Sequence, residues 1–249
     1  MIIIKSNHEI QTMRESGRVT AGILRDLKDF VKPGVSTKDI DDFVEETIRG
    51  NGMTPTFKGY NGYPASACVS INEEVVHGIP RSDRLLAEGD IVSVDVGSTW
   101  KGYVSDAART YPVGEISLAA RKLIEVTEAC FFEGIKYCRE GFRLSDISHA
   151  IQTKAESEGF SVVRDFVGHG VGREMHEDPQ IPNFGRPGKG PRIMKGMTFA
   201  IEPMINQGTW KVMVLEDNWT AVTVDRSLAA HYENTIVVTD GEPELLTLL

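Results

Sequence analysis

Gly89-Asp90-Ile91-Val92-Ser93-Val94-Asp95-Val96-Gly97, followed by the stretch from Gly102 to Tyr111, decides the fold. Apolar residues recur at β spacing in both stretches, so together they read as a hairpin with Trp100-Lys101 as its two-residue turn. If Thr99 pairs with Gly102, Asp95 stands opposite Asp106, and cross-strand partners point to one face about 4.5–5.5 Å apart at Cβ. Two carboxylates so placed repel each other unless a proton or a cation lies between them. A solvated acidic pair on an edge strand is the alternative. Against it, Asp95 sits in the run from Ile91 to Val96, which is apolar enough to be buried on at least one face.

One constant offset carries this stretch onto Gly196-Met197-Thr198-Phe199-Ala200-Ile201-Glu202, a second strand that ends in a carboxylate. The same offset carries Gly34 onto Gly141, Asp39 onto Asp146, Ile40 onto Ile147 and Gly52-Met53 onto Gly159-Phe160. These positions lie around helices. A long helix from about Ser6 to Phe30 opens on the capping box Ser6-x-x-Glu9 and stops at Pro33-Gly34. A shorter one from about Thr37 to Arg49 carries Ile40, Phe43, Val44 and Ile48 on one face and ends at Asn51-Gly52. The matching pair runs from about Ser117 to Cys138 and from Ser145 to Glu158, stopped by Gly141 and Gly159. The expected fold is α+β: two pseudo-twofold-related halves, roughly residues 6–112 and 113–240, each of two helices and then antiparallel strands. No linker rich in Pro, Gly or Ser separates them, so residues 1–249 are expected to pack as a single domain.

The chain has 249 residues, 41% hydrophobic and 25% charged, which excludes disorder, collagen and coiled coil. A net charge of −9 without long blocks of one sign argues against a non-specific phosphate-backbone binder, and no specific nucleic acid is expected as a partner. The segment Met1–Ser6 is too short for a signal core, and no window approaches about 18 uninterrupted apolar residues. The expectation is a cytoplasmic protein with no membrane partner. Cys68, Cys130 and Cys138 read as reduced, buried, small hydrophobes, because in one helix Cys130 and Cys138 would be roughly 12 Å apart.

The second half repeats the carboxylate chemistry. Glu202 follows Met197–Ile201, and Glu233 precedes Thr235-Ile236-Val237-Val238; it matches Asp106 if Gln207–Trp219 is an insertion in the second hairpin. A pseudo-twofold axis would then gather four acids, an arrangement that divalent ions need and a purely structural core avoids. Gly168-His169-Gly170-Val171-Gly172 adds an imidazole on what reads as a loop after the strand-like Val162–Val167. One histidine and four carboxylates make a dinuclear site that suits Mn, Fe or Co at least as well as Zn. His77 and His176 are candidates for proton handling or for structural roles.

At these residues the sequence resembles the bacterial kind of type I methionine aminopeptidases, members of the pita-bread (creatinase/aminopeptidase-like) metallopeptidase fold. The resemblance spans essentially the whole chain. It rests on Asn72-Glu73-Glu74-Val75-Val76-His77-Gly78-Ile79-Pro80, Asp95 with Asp106, Gly168–Gly172, His176-Glu177-Asp178-Pro179, Ile201-Glu202-Pro203-Met204 and Tyr232-Glu233-Asn234-Thr235. It implies two divalent metal ions (Co, Mn, Fe or Zn), with Asp95 chelating, Asp106 and Glu233 bridging, and His169 and Glu202 holding the other ion. Further implied are proton transfer by Glu202, hydrogen bonds from His77 and His176 to the scissile amide and its developing oxyanion, and a methionine pocket of Tyr60, Tyr63, Cys68, Met175 and Trp219.

The implied activity removes the initiator methionine from nascent polypeptide N-termini when the second residue is small, by means of a dimetal-activated water. The ribosome near the exit tunnel follows as a partner, and a monomer as the simplest state. Met175 stands where an aromatic is frequent, Phe57 where some members carry cysteine, and Asn234 where histidine is frequent, which bears on metal affinity. A monovalent cation bound in some members near Asn72 loses a serine here, replaced by Ala229. Two rivals share the fold: an Xaa-Pro peptidase, expected to carry an extra N-terminal domain, and a catalytically dead binding module, expected to have lost ligands.

Overall fold

The computed structural model describes all residues, Met1–Leu249. Four helices are present: α1 (Asn7–Phe30), α2 (Thr37–Gly50), α3 (Leu118–Ile135) and α4 (Leu144–Ser157). Between α2 and α3 run β1 (Thr54–Pro55), β2 (Ala67–Ile71), β3 (Glu74–Val76), β4 (Ile91–Trp100) and β5 (Tyr103–Pro112). After α4 come β6 (Ser161–Val162), β7 (Gly168–Gly170), β8 (Glu177–Ile181), β9 (Thr198–Ile201) and β10 (Met204–Asn206). The chain continues with β11 (Val212–Val214), β12 (Ala221–Thr223), β13 (Ala229–His231), β14 (Asn234–Val237) and β15 (Glu244–Leu245).

Local sequence explains the helices. The Ser6–Glu9 capping box forms at the start of α1, and Ser36 with Asp39 makes the equivalent box on α2. On α2 the apolar face of Ile40, Val44 and Ile48 is fully buried with Leu24 and Leu27 of α1 against β2 and β4. In the second half Leu123, Phe131, Ile147 and Ile151 from α3 and α4 pack on Phe199, Ile205 and Ile236. α3 ends at Ile135, earlier than its pattern suggests, leaving Cys138 beyond it; all three cysteines are free and buried.

Every strand pairing is antiparallel. β4 is central in its sheet, with β5 on one side and β2 and β1 on the other. Its register corrects the expected one: Trp100 pairs with Tyr103, so the turn is Lys101-Gly102, not Trp100-Lys101. Both turn residues have positive φ (47° and 78°), the type I′ geometry that matches strand twist and that glycine permits at the second position. Asp95 therefore pairs with Ala108 and Asp106 with Gly97. The two acids are diagonal rather than opposite, and still on one face.

The second sheet runs β15-β14-β9-β7-β8. The strand expected over Val162–Val167 is confined to Ser161–Val162, and His169 lies inside β7, not on a loop. The glycines around it are steric necessities, because a Cβ at Gly168 would meet the Ala200 carbonyl and one at Gly170 the Asp178 carbonyl. The Gln207–Trp219 stretch contains β11, whose hairpin with β12 joins β3 as a separate sheet.

Equivalent features recur in the two halves. Isolated bridges join Ser36 to Leu85 and Arg143 to Arg192, and Gly34, Gly52 and Gly89 share left-handed φ with Gly141, Gly159 and Gly196. The halves are spliced at β5 and β14. The Glu233 N–H donates to the Ala108 carbonyl at 2.9 Å, and the Asp106 N–H donates to Thr235 Oγ1 at 2.9 Å.

Candidate metal centre and its pocket

The splice brings the acids together. Asp95 and Asp106 project from the β4–β5 hairpin, Glu202 follows β9 directly, and Glu233 precedes β14 directly. All four, with His169, line one cavity of about 220 Å³. His169 Nε2 lies 3.5 Å from Glu202 Oε1 and 3.8 Å from Asp106 Oδ2, while its Nδ1 is 2.9 Å from the Gly170 carbonyl. With Nδ1–H donating to that carbonyl, Nε2 is left as a lone-pair donor aimed at the acids.

Electrostatics argue that the cluster exists to hold cations. No Lys or Arg lines the cavity. Burial, reinforced by the neighbouring carboxylates, pushes the Asp95, Glu202 and Glu233 carboxyls well above their ordinary range, and burial raises Asp106 as well. Asp95 Oδ1, Asp106 Oδ1 and Glu233 Oε1 are buried and accept no hydrogen bond. Orphaned carboxylate oxygens at such density need protons or a metal. Two triads have ligand atoms within 4.8 Å of one another: Asp106, His169 and Glu233, and Asp95, His231 and Glu233. The donors fit divalent ions.

Outer groups fix these donors. The Arg109 guanidinium stacks 4.1 Å from the Tyr232 ring and donates to the Glu233 carbonyl (2.5 Å) and to Asn234 Oδ1 (2.7 Å). Thr247 Oγ1 donates to the same Asn234 oxygen at 3.0 Å. Asn234 is thus a buried anchor of the strand that presents Glu233, at the position where histidine was the frequent residue.

Beside the acids lies an apolar wall. Phe57, Tyr63, Ala65 and Cys68 form a buried cluster, with Ile79, Met175 and Trp219 packed on it. The Tyr63 hydroxyl donates to the Gly78 carbonyl at 2.9 Å, and its ring meets Trp219 edge-on at 5.0 Å. Tyr60 sits at the rim, its hydroxyl 2.7 Å from His176 Nδ1, and the His176 and His169 rings are 4.3 Å apart. His77, with φ of 61°, packs edge-on against Phe166 and Trp219. Burial lowers the His77 and His169 imidazoles to about 4, leaving both neutral.

Every site residue singled out from the sequence lines this cavity: His77, Asp95, Asp106, His169, His176, Glu202, Glu233, Tyr60, Tyr63, Cys68, Met175 and Trp219. Sequence reasoning missed Phe166, Asn61 and above all His231, which is buried between Glu202 and Glu233. The signal was there: His231 precedes Glu233 by two positions on an extended chain, so both point to the same face.

The model of metallopeptidase family M24 matches residues 11–240. The chain belongs to this family. A methionine aminopeptidase of Clostridium acetobutylicum is 55% identical over 248 residues, which is 100% of this chain and 99% of that protein. The crystal structure of methionine aminopeptidase from Thermotoga maritima superposes with a TM-score of 0.98 at 50% identity, with 100% of both chains covered. The expected likeness to bacterial methionine aminopeptidases and the pita-bread α+β fold are thereby borne out. A prolidase from Pyrococcus furiosus shares that fold, with a TM-score of 0.81 at 21% identity; 99% of this chain covers 66% of that one. M24 membership also carries the use of divalent metal. No helix is long and apolar enough to cross a membrane.

Proposed function

We infer that the protein is a metal-dependent methionyl aminopeptidase that removes the initiator methionine from nascent chains when the next residue is small. One observation carries the reading: a cluster of four carboxylates and a neutral histidine shares its cavity with a thioether-sized apolar wall of Tyr63, Cys68, Met175 and Trp219. A free methionine side chain laid against that wall would bring the first peptide bond to the acids.

In this proposal Asp95 would hold one divalent ion and His169 with Glu202 the other, with Asp106 and Glu233 shared between them. Bound there, such ions would supply Lewis acidity, which lowers the pKa of a water and polarises a carbonyl. Glu202 takes the proton of the attacking water and passes it to the leaving amine. Neutral His77 and His176 donate hydrogen bonds to the scissile amide and to the oxygen on which charge develops. The apolar wall excludes water and orients the methionine. The whole chain acts as one catalytic domain, with residues 6–112 supplying Asp95 and Asp106 and residues 113–240 supplying His169, Glu202 and Glu233.

Cobalt, manganese, iron and zinc all suit this donor set, and supply in the cell decides among them. A monovalent cation at Asn72 has weaker support, since its carbonyl already accepts from the Ala229 N–H at 2.8 Å and Ala229 brings no hydroxyl. We further propose that the enzyme works as a cytoplasmic monomer on N-termini emerging near the ribosomal exit tunnel; this rests on the resemblance alone.

The test is release of free methionine from Met-Ala and Met-Glu peptides of equal length by metal-stripped protein, before and after addition of Mn, Co, Fe or Zn. Metal-dependent cleavage of the Met-Ala peptide alone is expected. No release with any metal from folded protein would overturn the assignment and favour the binding module.

A further inference from the structure

His231 closes β13, and the extended chain turns it and Glu233 to the same side. It is 2% exposed, and its Nε2 has no hydrogen-bond partner. That nitrogen lies 3.7 Å from Glu233 Oε2 and 3.8 Å from Glu202 Oε2, beyond hydrogen-bond length to both. The strand holds it there: the His231 N–H donates to Thr110 Oγ1 at 2.9 Å, and Thr110 Oγ1 donates to the His231 carbonyl at 2.9 Å. Ligand atoms of His231, Asp95 and Glu233 come within 4.8 Å of one another.

Donor atoms sharing one first-row ion at about 2.1 Å stand roughly 3 to 4.2 Å apart, depending on the angle between them. The separation of His231 from Glu233 falls in this range. Asp95 Oδ1 and Glu233 Oε1 are buried and unpartnered beside it. The other half of the centre already has such a set, in which His169 accompanies Asp106 and Glu233.

We propose that His231 is a nitrogen donor to the ion held by Asp95 and Glu233, so that each ion of the pair has one imidazole. This inference rests on the two-ion reading above. Its consequence is selectivity. An all-oxygen set leaves Mn competitive, whereas an added imidazole favours Co, Fe and Zn on the Asp95 side.

The experiment uses metal-stripped, full-length protein titrated with Co(II), followed by calorimetry and by the visible d–d absorption. Wild-type protein should bind two equivalents. In His231→Gln the equivalent assigned to the Asp95 side should weaken at least ten-fold and change its absorption band, while the other stays within two-fold. With Mn(II) the loss should be smaller. Asp95→Asn identifies which equivalent belongs to that side. Wild-type affinity and spectrum for both equivalents in His231→Gln would overturn the proposal.

A second measurement avoids any folding defect in the variant. Proton NMR of the wild-type protein loaded with two Co(II) should show two exchangeable, strongly shifted imidazole N–H resonances, from His169 and His231. A single such resonance, with two ions bound, would remove His231 from the ligand set and leave the two-ion reading intact. Uptake of only one equivalent by wild type would overturn both.

Discussion

Glu202 and Glu233 face each other where β9 meets β14: Ile201 pairs with Asn234 on one side of them, and Met204 pairs with His231 on the other. Asp95 and Asp106 are instead diagonal neighbours in the β4–β5 ladder. One pair is direct and the other offset, so the four carboxyls fill a volume rather than a line, which is the shape that two ions require.

Asp106 is deeply embedded, 2% exposed and tied through its backbone to Thr235. Asp106→Asn keeps the volume and removes the charge. The expected result is a fall in kcat/KM of at least about a thousand-fold, the scale reached when a group essential to transition-state charge is lost. Bound metal should fall from two equivalents. Steady-state kinetics and metal analysis of the purified variant check both.

The metal-free protein should lose stability as pH rises above about 6.5. The four carboxyls bind protons more tightly in the folded chain than in the unfolded one, where they titrate near pH 4, so the folded state carries extra protons above that pH and stability declines with pH. The buried histidines act oppositely, but only below about 6.5. His77 and His169 are lowered to about 4 and His231 to about 3, so the stability they cost at low pH is recovered as pH rises to the unfolded value. Above it the carboxyls dominate, and near pH 9 the buried thiols of Cys68, Cys130 and Cys138, raised by burial, add to the same decline. Thermal melts from pH 6.5 to 9 should show a falling Tm without metal and a flat or rising one with excess Co(II), since binding releases the protons.

His77 occupies a left-handed backbone position, so its replacement must tolerate φ near +60°. Asparagine does. His77→Asn should leave metal uptake unchanged and lower kcat by about a hundred- to a thousand-fold, the usual effect of deleting one preorganised donor to a developing oxyanion. Unchanged kcat would exclude His77 from contact with the reacting amide.

Those variants test residues that the sequence made legible for a physical reason. Capping boxes, helix-stopping glycines and apolar periodicity are local signals, and they located all four helices to within a residue or two, except the end of α3. The hairpin turn was read one residue early, because Lys101 in a left-handed conformation has no signal of its own. The error moved the partner of Asp95 from Asp106 to Ala108, two positions along the strand, and a two-residue shift preserves the face. The convergence of the acids therefore survived a wrong register. His169 looked like a loop residue because its flanking glycines mark turns; here they answer backbone crowding between β7 and its neighbours. His231 belongs to no motif; its two-residue spacing from Glu233 puts both on one face, and what the sequence does not show is Asp95 approaching from another strand.

Lys5 and Glu177 form a buried ion pair, their side chains 3% and 5% exposed, that latches the N-terminal segment to the residue after His176. Glu177 Oε1 also accepts the Arg173 N–H at 2.8 Å, so the carboxylate organises the turn that carries Met175 and His176 over the cavity. Lys5→Met keeps most of the apolar stem and leaves Glu177 charged, buried and without its ammonium. Breaking one side of such a pair costs about 3–5 kcal/mol. Lys5→Met with Glu177→Gln removes the stranded charge while an amide oxygen still accepts the backbone N–H groups, so the double variant should recover much of that loss. Urea unfolding of the two variants checks this order. If the latch also positions His176, single-variant protein that is still folded should show a lower kcat with unchanged metal stoichiometry, and the double variant should regain part of it. Equal stability in single and double variants would mean that Glu177 finds another partner once Lys5 is gone.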